Sequence, residues 1–497
     1  MEMIEKLIEQ LTYHNDDPLI FSTSLFLFMF LGFTLVYFLL EKKLTLRLLF
    51  VTAFSYYFYY KSSGFYFFLL AVVTLSDFLL AKGIDRTNQK YGVKNTKAKW
   101  LLFLSLLVDL GLLGYFKYTN FFGKMIADCI GNNFQPWDIF LPVGISFFTF
   151  QSMSYTIDIY RGQLKPVNSL LDYAFYVSFF PQLVAGPIVR ARDFLPQIRR
   201  VPQVTSEMMA RGVYFVAIGL IKKCVISDYI SLNFVDRVFE DPGLYSGIEN
   251  LLGVYGYTLQ IYCDFSGYSD MAIGIALLLG FHFPKNFDTP YISTSVTEFW
   301  RRWHMSFSTW IRDYIYISMG GNRKGKLRTY VNLFVTMLIG GLWHGANLNF
   351  VVWGAMHGTA LACHKFFRSE VLHHDKTYLS HGIKRFLAIL LTFHFVCFTF
   401  IFFRNVSFDK SVLMIEQMCC NMHIELLPGI ISGYMYVMIL ILVGYISHFI
   451  PRTWKEMPVA FLQKGGLVLE CLALVVVIYL VIQTKSSEIQ PFIYFQF

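Results

Sequence analysis

The stretch GGLWHGANLNFVVWG, residues 340–354, places a histidine inside a long apolar segment in which residues 330–357 carry no Asp, Glu, Lys or Arg. If this segment is helical from residue 330, it rises about 21 Å by His344, which is well inside a hydrocarbon layer roughly 30 Å thick. Three glycines flank the histidine: Gly340, Gly341 and Gly345. They allow a break or turn, which a membrane tolerates at depth only where protein or a wet cavity covers the backbone. We therefore expect His344 to lie deep in a protein-lined pocket.

The composition predicts the fold class. Of 497 residues, 55% are hydrophobic and only 15% are charged, the mean hydropathy is +0.49, and soluble proteins carry about a quarter charged residues. We predict an all-α polytopic integral membrane protein with about 11–13 helices, several of them short or broken. The predicted spans are 19–40, 47–60, 64–80, 100–116, 138–159, 168–186, 210–226, 250–281, 329–362 as one long or two short pieces, 385–403, 432–450 and 467–483.

The net charge of +9 does not indicate nucleic-acid binding, because the basic residues cluster between apolar runs, where the positive-inside rule places them. The basic clusters that follow the first and the third apolar run are predicted to be cytoplasmic, and so is the basic cluster at 323–328. Both termini are then extracytoplasmic, and membrane lipids surround the body. In residues 1–17, apolar residues recur at helical spacing with charged residues on the opposite face. This pattern predicts a helix that lies in the membrane interface.

Ionisable groups inside apolar segments are candidates for function because they are costly unless they are paired or wet. The acids of residues 141–162 and 260–280 have a structural interpretation, which is pairing with Arg301, Arg302 or Arg312. A lone buried histidine is also more often a core residue than a catalyst. His304 and His344 are nonetheless the best candidates, since neutral imidazole is the usual general base near pH 7. No spacing of the HExxH kind occurs, and no metal site is predicted.

Five stretches, taken together, resemble the membrane-bound O-acyltransferase family. They are LPVGISFFTFQSMSYTIDIYRG (141–162), SFFPQLVAGPIVR (178–190), DFSGYSDMAIGIALLLGFHFPKNFDTPYIS (264–293), VTEFWRRWHMSFSTWIRDYIYISMGGNRKG (296–325) and GGLWHGANLNFVVWGAMHG (340–358). The likeness is greatest to the bacterial branch that serves alginate O-acetylation and teichoic-acid D-alanylation. The segment GGNRKG, 320–325, favours the alginate type.

The resemblance implies a single membrane-embedded domain, 1–497, in which helices surround a central funnel and residues 141–358 form the catalytic core. The family's catalytic histidine falls on His344, and its second catalytic position falls on His304. The implied roles are deprotonation of an acceptor hydroxyl by His344, and orientation of the acyl group or donation to the oxyanion by His304. Six further residues are expected to support them: Trp343, Trp303, Arg301, Arg302, Gln151 and Asp264.

The C-terminal tail, 484–497, ends in PFIYFQF, residues 491–497. This motif resembles the C-terminus of the small membrane partner of D-alanylation systems, in which a tyrosine is thought to carry the acyl group. By that resemblance Tyr494 is an acyl-relay nucleophile. The alternative is an aromatic anchor at the membrane interface.

The function that the resemblance implies is transfer of an acyl group, most plainly acetyl, from a cytoplasmic thioester to a cell-surface polysaccharide. The donor is acetyl-CoA or the phosphopantetheine of an acyl carrier protein, and no cofactor is expected to stay bound. An extracytoplasmic serine hydrolase-like acetyltransferase is the expected partner, and the bacterial inner membrane the expected location. The alternatives are D-alanyl transfer to teichoic acid, acylation of a lipid, and a transporter of polysaccharide or lipid without enzymatic activity.

Overall fold

The structure of the protein is a computed structural model that describes residues 2–14, 18–373, 382–484 and 492. These residues form α-helices, short 3-10 and π segments and loops, and no strand occurs among them. The first α-helices are α1 (Glu2–Leu11), α2 (Ser24–Leu39), α3 (Leu44–Ser63), α4 (Phe67–Tyr91), α5 (Thr96–Leu113), α6 (Thr119–Ile130), α7 (Ile145–Tyr160), α8 (Leu170–Ser178), α9 (Phe180–Leu183), α10 (Ala191–Ile198), α11 (Ser206–Leu220) and α12 (Asp228–Ile230). The others are α13 (Asp236–Glu240), α14 (Gly247–Leu278), α15 (Val296–Arg302), α16 (Met305–Ile311), α17 (Lys326–His344), α18 (Leu348–Phe366), α19 (Gly382–Arg404), α20 (Phe408–Cys420), α21 (Leu427–Gly433), α22 (Met435–Phe449) and α23 (Arg452–Thr484). The predicted all-α class is confirmed.

The described residues form two compact units. The first contains the described parts of Met1–Val216 and Asp270–Pro284, and the second contains those of Ala217–Ser269 and Lys285–Ile493. In the first unit α4 packs against α5 and α7, and α3 packs against α8. The single domain and the funnel that the sequence predicted stay predictions.

Length and composition mark four helical stretches as long and apolar enough to cross a membrane: Leu44–Tyr91, Thr96–Ile130, Gly382–Arg404 and Arg452–Thr484. Ile424–Gly433 and Met435–Phe449 form a further pair bent by 96°. The other predicted spans are shorter, broken or more polar helices. In α14, for example, the polar side chains of Gln260 and Asp264 are buried in protein, so that helix does not need to be apolar throughout.

In the first unit, the observed helices differ from two of the predicted spans. The span 138–159 is helical only from Ile145, because Pro142 and Gly144, the latter at φ 75°, precede it in an irregular turn. The span 168–186 breaks between α8 and α9 at Phe179, which has an extended ψ of 111°. The N-terminal helix predicted at 1–17 occurs as α1 but ends at Leu11, and Ile8 on it is exposed. Its place in the membrane interface stays a prediction.

In the second unit the chain turns back directly after His344. Residues 326–344 form α17, and Asn347 then begins α18 by accepting a hydrogen bond from the backbone N–H of Asn349 at 2.9 Å. The predicted segment 329–362 is therefore two helices. At the other end of the hairpin, Lys326 pairs with Glu370 at 2.7 Å, so the basic loop 323–328 lies next to the end of the returning helix.

Glycine contacts hold α17 and α18 together. A Cβ on Gly341 would lie 2.2 Å from the backbone oxygen of Phe350 and 3.0 Å from the Cα of Gly354. A Cβ on Gly354 would lie 2.6 Å from the backbone oxygen of Met337. Both clashes are with main-chain atoms, which cannot rotate away. The backbones can approach this closely only because these positions lack side chains.

We therefore expect Gly341→Ala to force the two helices apart and to destabilise the protein by about 1–3 kcal/mol. The measurement is the thermal unfolding midpoint of detergent-purified protein. Gly111→Ala is the matched control, because nothing lies within 4 Å of a Cβ at that helical position and alanine is the better helix former. Equal midpoints for the two variants would contradict the tight α17–α18 contact.

Candidate active site

His344 is the last residue of α17 and is buried, with 3% of its surface exposed. Four aromatic rings surround its imidazole. The ring centroids lie at 4.9 Å for Trp343, 5.1 Å for Trp353, 5.1 Å for Phe403 and 5.4 Å for Phe307. His344 is therefore buried among aromatic side chains, while the deep pocket expected around it stays a prediction.

His304 lies in the turn between α15 and α16 and is fully buried. Its backbone has φ 42° and ψ 56°, the left-handed region, which costs a residue with a side chain about 1–3 kcal/mol and persists only where the surroundings enforce it. The ring lies 4.6 Å from that of Phe265 and 5.0 Å from that of Phe307. Strain of this kind recurs at functional sites.

The two histidines belong to one cluster. Both rings contact Phe307, which also stacks on Trp343 at 4.6 Å. The sequence separates the histidines by forty positions, and the return of α17 toward α16 brings them together. The two candidate histidines therefore lie in one aromatic cluster, while their catalytic roles stay predictions.

A second wall of the site is built from tryptophans. Trp353 contacts the His344 ring and stacks near His357 at 4.7 Å. His357 accepts a hydrogen bond at Nδ1 from the indole N–H of Trp300, at 3.2 Å, and its Nε2 lies 3.1 Å from Thr399 Oγ1. Because Nδ1 accepts, Nε2 carries the hydrogen and donates to the threonine. Both nitrogens of His357 are thus in use, which is the pattern of a structural histidine.

Sequence reasoning missed the partners of Asp264. Its carboxylate lies 2.6 Å from Lys223 Nζ, and the same ammonium lies 2.7 Å from Asp228. The predicted partners, Arg301, Arg302 and Arg312, were wrong for this acid, because Lys223 reaches it from the π-helical segment Ile221–Ser227. Lys222 and Lys223 stand in this segment, inside the predicted span 210–226, and these charges within an apolar span could have signalled an ion pair.

The predicted supporting residues around His304 have separate roles. Trp303 is buried and packs on Phe287 at 5.2 Å and on Phe299 at 5.5 Å. Arg302 Nη2 pairs with Glu298 at 2.8 Å within α15, whereas Arg301 is exposed and faces a cavity.

The loop before α15 is fixed by charge. Burial raises the pKa of the Asp288 carboxyl, but Lys285, Arg452 and Arg302 lower it further, so its pKa is below the ordinary value. Arg452 Nη2 lies 2.5 Å and Lys285 Nζ 2.8 Å from this carboxylate. The loop that leads to His304 is thereby tied to the start of α23.

A cavity of about 390 Å³ opens between α15, α16, α17 and α18. Its apolar lining includes Trp300 and Met337, and four fixed cations line it: Arg301, Arg312, Lys365 and Arg368. Among the described residues, no acidic side chain lines it. Met337, which lines the cavity, lies two turns before His344 on α17, about 10 Å along the helix.

Two predicted residues lie elsewhere. Gln151 belongs to the first unit, on α7, where its side-chain amide is buried and has no hydrogen-bond partner among the described residues. Tyr494 lies outside the described residues. Phe492, two positions earlier in the tail, is fully buried in the second unit and lies 4.9 Å from Tyr268 and 5.6 Å from Phe265. Within the described part of the chain, no three His, Cys, Asp or Glu side chains gather at metal-binding distance.

Comparison with known proteins identifies the chain as a membrane acyltransferase. Residues 95–403, more than half of its length, match the model of MBOAT, the membrane-bound O-acyltransferase family, and the chain belongs to that family. It is 44% identical over 357 residues to the probable alginate O-acetylase AlgI of Azotobacter vinelandii, covering 71% of this chain and 70% of that protein. It is 35% identical over 432 residues to the peptidoglycan O-acetyltransferase of Helicobacter pylori, covering 80% of each. With the teichoic acid D-alanyltransferase of Bacillus subtilis it shares 31% identity over 287 residues, 55% of this chain and 71% of the relative. The predicted family, the enzymatic class and the multi-pass membrane character are confirmed.

We expect Lys223→Met to leave the buried carboxylate of Asp264 and the partly buried carboxylate of Asp228 without their cation, and to destabilise the protein by about 3–5 kcal/mol. Thermal unfolding in detergent measures the loss. Lys285→Met is the control, because that lysine is exposed and its pair contributes about 0–1 kcal/mol. Adding Asp264→Asn to Lys223→Met should recover part of the stability, and no recovery would argue against an ionised triad.

Proposed function

We propose that this protein transfers an acetyl group from a cytoplasmic pantetheine thioester, across the membrane, for O-acetylation of a cell-surface polysaccharide. The observation that carries the proposal is the pair of buried histidines, His304 and His344, in one aromatic cluster, with a cationic cavity bordering α17. The alginate and peptidoglycan O-acetylating relatives support acetyl as the cargo and a polysaccharide as the destination. The proposed location is the bacterial inner membrane, with both termini outside.

The cavity suits the donor's phosphate groups. Four cations and no acid line it, and Arg and Lys bind phosphate by charge-assisted hydrogen bonds. Its apolar wall, with Trp300, suits the pantetheine arm, which has few charges. Acetyl-CoA and a carrier-bound phosphopantetheine share this chemistry, and an acyl carrier protein is a candidate cytoplasmic partner.

The proposed chemistry follows from the position of His344. Its imidazole removes the proton of an acceptor hydroxyl while the hydroxyl oxygen attacks the thioester carbon. A carbon–oxygen bond forms, the carbon–sulfur bond breaks, and the imidazolium returns the proton to the thiolate. Since aromatic rings enclose the site, hydrogen bonds to the developing oxyanion are strengthened by the low dielectric.

Tyr494 is the proposed acceptor hydroxyl. Phe492 supports this assignment, because it packs on Phe265, whose ring lies 4.6 Å from that of His304. Tyr494 follows Phe492 by two positions, and two residues of chain span at most about 7 Å, which is the support for this assignment. An external serine hydrolase-like acetyltransferase would then take the acetyl group from the tyrosine and pass it to the polymer.

Two alternatives remain distinct from this proposal. D-alanyl transfer to teichoic acid is disfavoured, because the D-alanyltransferase relative matches less of this chain than the O-acetylating relatives do. A transporter without enzymatic activity predicts that His344→Ala leaves the acetyl content of the cell surface unchanged.

The relay is tested by peptide mass spectrometry of protein purified from cells. We expect an acetyl adduct on Tyr494 in the wild type and none in His344→Ala, because the tyrosine cannot be acylated without its base. Tyr494→Phe should lose the adduct and the surface acetate together. Normal surface acetate in Tyr494→Phe would make the tail an aromatic anchor and favour direct transfer to an external acceptor.

The donor cavity is tested by removing its charges. We expect Arg301→Gln with Lys365→Gln to raise KM for acetyl-CoA about tenfold, with little change for S-acetylpantetheine, which has no phosphate. Arg323→Gln with Lys324→Gln removes the same charge from the nearby loop and serves as control. An equal rise for both thioesters, or the same rise in the control, would contradict a phosphate site in this cavity.

A further inference from the structure

Asn286 forms the centre of the turn that carries His304. Its backbone oxygen accepts the N–H of Met305 at 2.8 Å. Its side-chain oxygen accepts the main-chain N–H of Ser306 at 3.2 Å and the hydroxyl of Ser306 at 2.8 Å. Its side-chain nitrogen donates to Ser269 at 3.1 Å, and the residue is buried. These bonds hold the left-handed backbone of His304 in place.

The same amide determines which ring nitrogen of His304 carries the hydrogen. His304 Nδ1 lies 3.2 Å from Asn286 Oδ1. This amide atom is the oxygen, because it also accepts a main-chain N–H that can only donate. Nδ1 must therefore be the donor, and in the neutral ring Nε2 is left with a lone pair.

The second nitrogen of His304 has no hydrogen-bond partner among the described residues. A buried acceptor without a donor costs about 1–3 kcal/mol, and His357 shows that this fold can use both nitrogens of a buried histidine. The lone pair of His304 is therefore kept for a substrate. Since Nε2 of His304 is an acceptor, it cannot donate a hydrogen bond to an oxyanion. Of the two roles that the resemblance implies for His304, this leaves orientation of the acyl group.

We propose that Asn286 is a positioning residue that holds His304 in the Nδ1–H tautomer, so that Nε2 accepts a hydrogen bond from the pantetheine amide nearest the thioester. The acetyl group has no hydrogen to donate, and the hydroxyl hydrogen goes to His344. The remaining donor close to the reacting carbon is the amide N–H of the pantetheine arm. The inference rests on the proposed acyl transfer and names the group by which its donor is oriented.

The test compares two thioesters on full-length protein in nanodiscs. One is S-acetylpantetheine, and the other has an ester oxygen in place of the amide N–H nearest the sulfur. Thiol release gives kcat/KM for each. We expect the wild type to prefer the amide about tenfold, the usual effect of one hydrogen bond, and Asn286→Ala to lose this preference.

Two variants separate positioning from stability. Asn332→Ala removes another buried asparagine, whose amide donates to the backbone oxygen of Gly321 at 2.9 Å, and should keep the preference. Asn286→Asp retains an acceptor for Nδ1–H and should restore it, even if Asn286→Ala folds poorly. A preference that persists in Asn286→Ala, or is absent in the wild type, overturns the inference.

A second measurement does not depend on activity. Nitrogen-15 NMR of histidine-labelled protein, with His304→Gln to assign the signal, reports the tautomer directly. We expect a protonated Nδ1 in the wild type, and a protonated Nε2 there would overturn the inference. No thiol release from either thioester by the wild type would count against the proposed function, while the NMR result would still decide the tautomer.

Discussion

The close contact of α17 and α18 is the constraint on which the site depends. The absence of a Cβ at Gly341 and Gly354 allows the backbones to touch, and the chain then reverses directly after His344. A bulkier hairpin would move the imidazole away from Phe307 and Trp353, its neighbours on two sides. It would also widen the space between these helices and α16, where the cationic cavity lies. The contact between α17 and α18 therefore determines both the position of His344 and the shape of the cationic cavity.

Polar groups in this apolar interior divide into those with partners and those without. The Lys223 ammonium is shared by two carboxylates, and both nitrogens of His357 are hydrogen-bonded. These arrangements hold helices together. His304 differs, because one of its nitrogens is fixed by Asn286 and the other has no partner among the described residues. Since an unused buried acceptor destabilises the fold, its presence beside the proposed base favours a role in substrate binding.

Much of the fold could be predicted from apolar periodicity and loop charge. The segment around residue 344 was expected to break, and it does, because Gly345 and the capping Asn347 follow the histidine. The predictions were less accurate where turn-forming residues interrupt an apolar run. The start of α7 is delayed by Pro142 and Gly144, and α8 breaks at Phe179, since local turn geometry outweighs hydropathy there. The partners of Asp264 were wrong for a related reason, because a buried ion pair depends on which helices meet.

The sequence by itself determined that the chain is an all-helical membrane protein, and its motifs pointed to His344 and His304. Those properties follow from composition and from short local patterns. Only the tertiary structure decided that both histidines contact Phe307, that four cations line one cavity, and that Asn286 sets the tautomer of His304. Each of these depends on distances between segments far apart in the chain. A sequence pattern with a period of one helical turn contains no information about such distances.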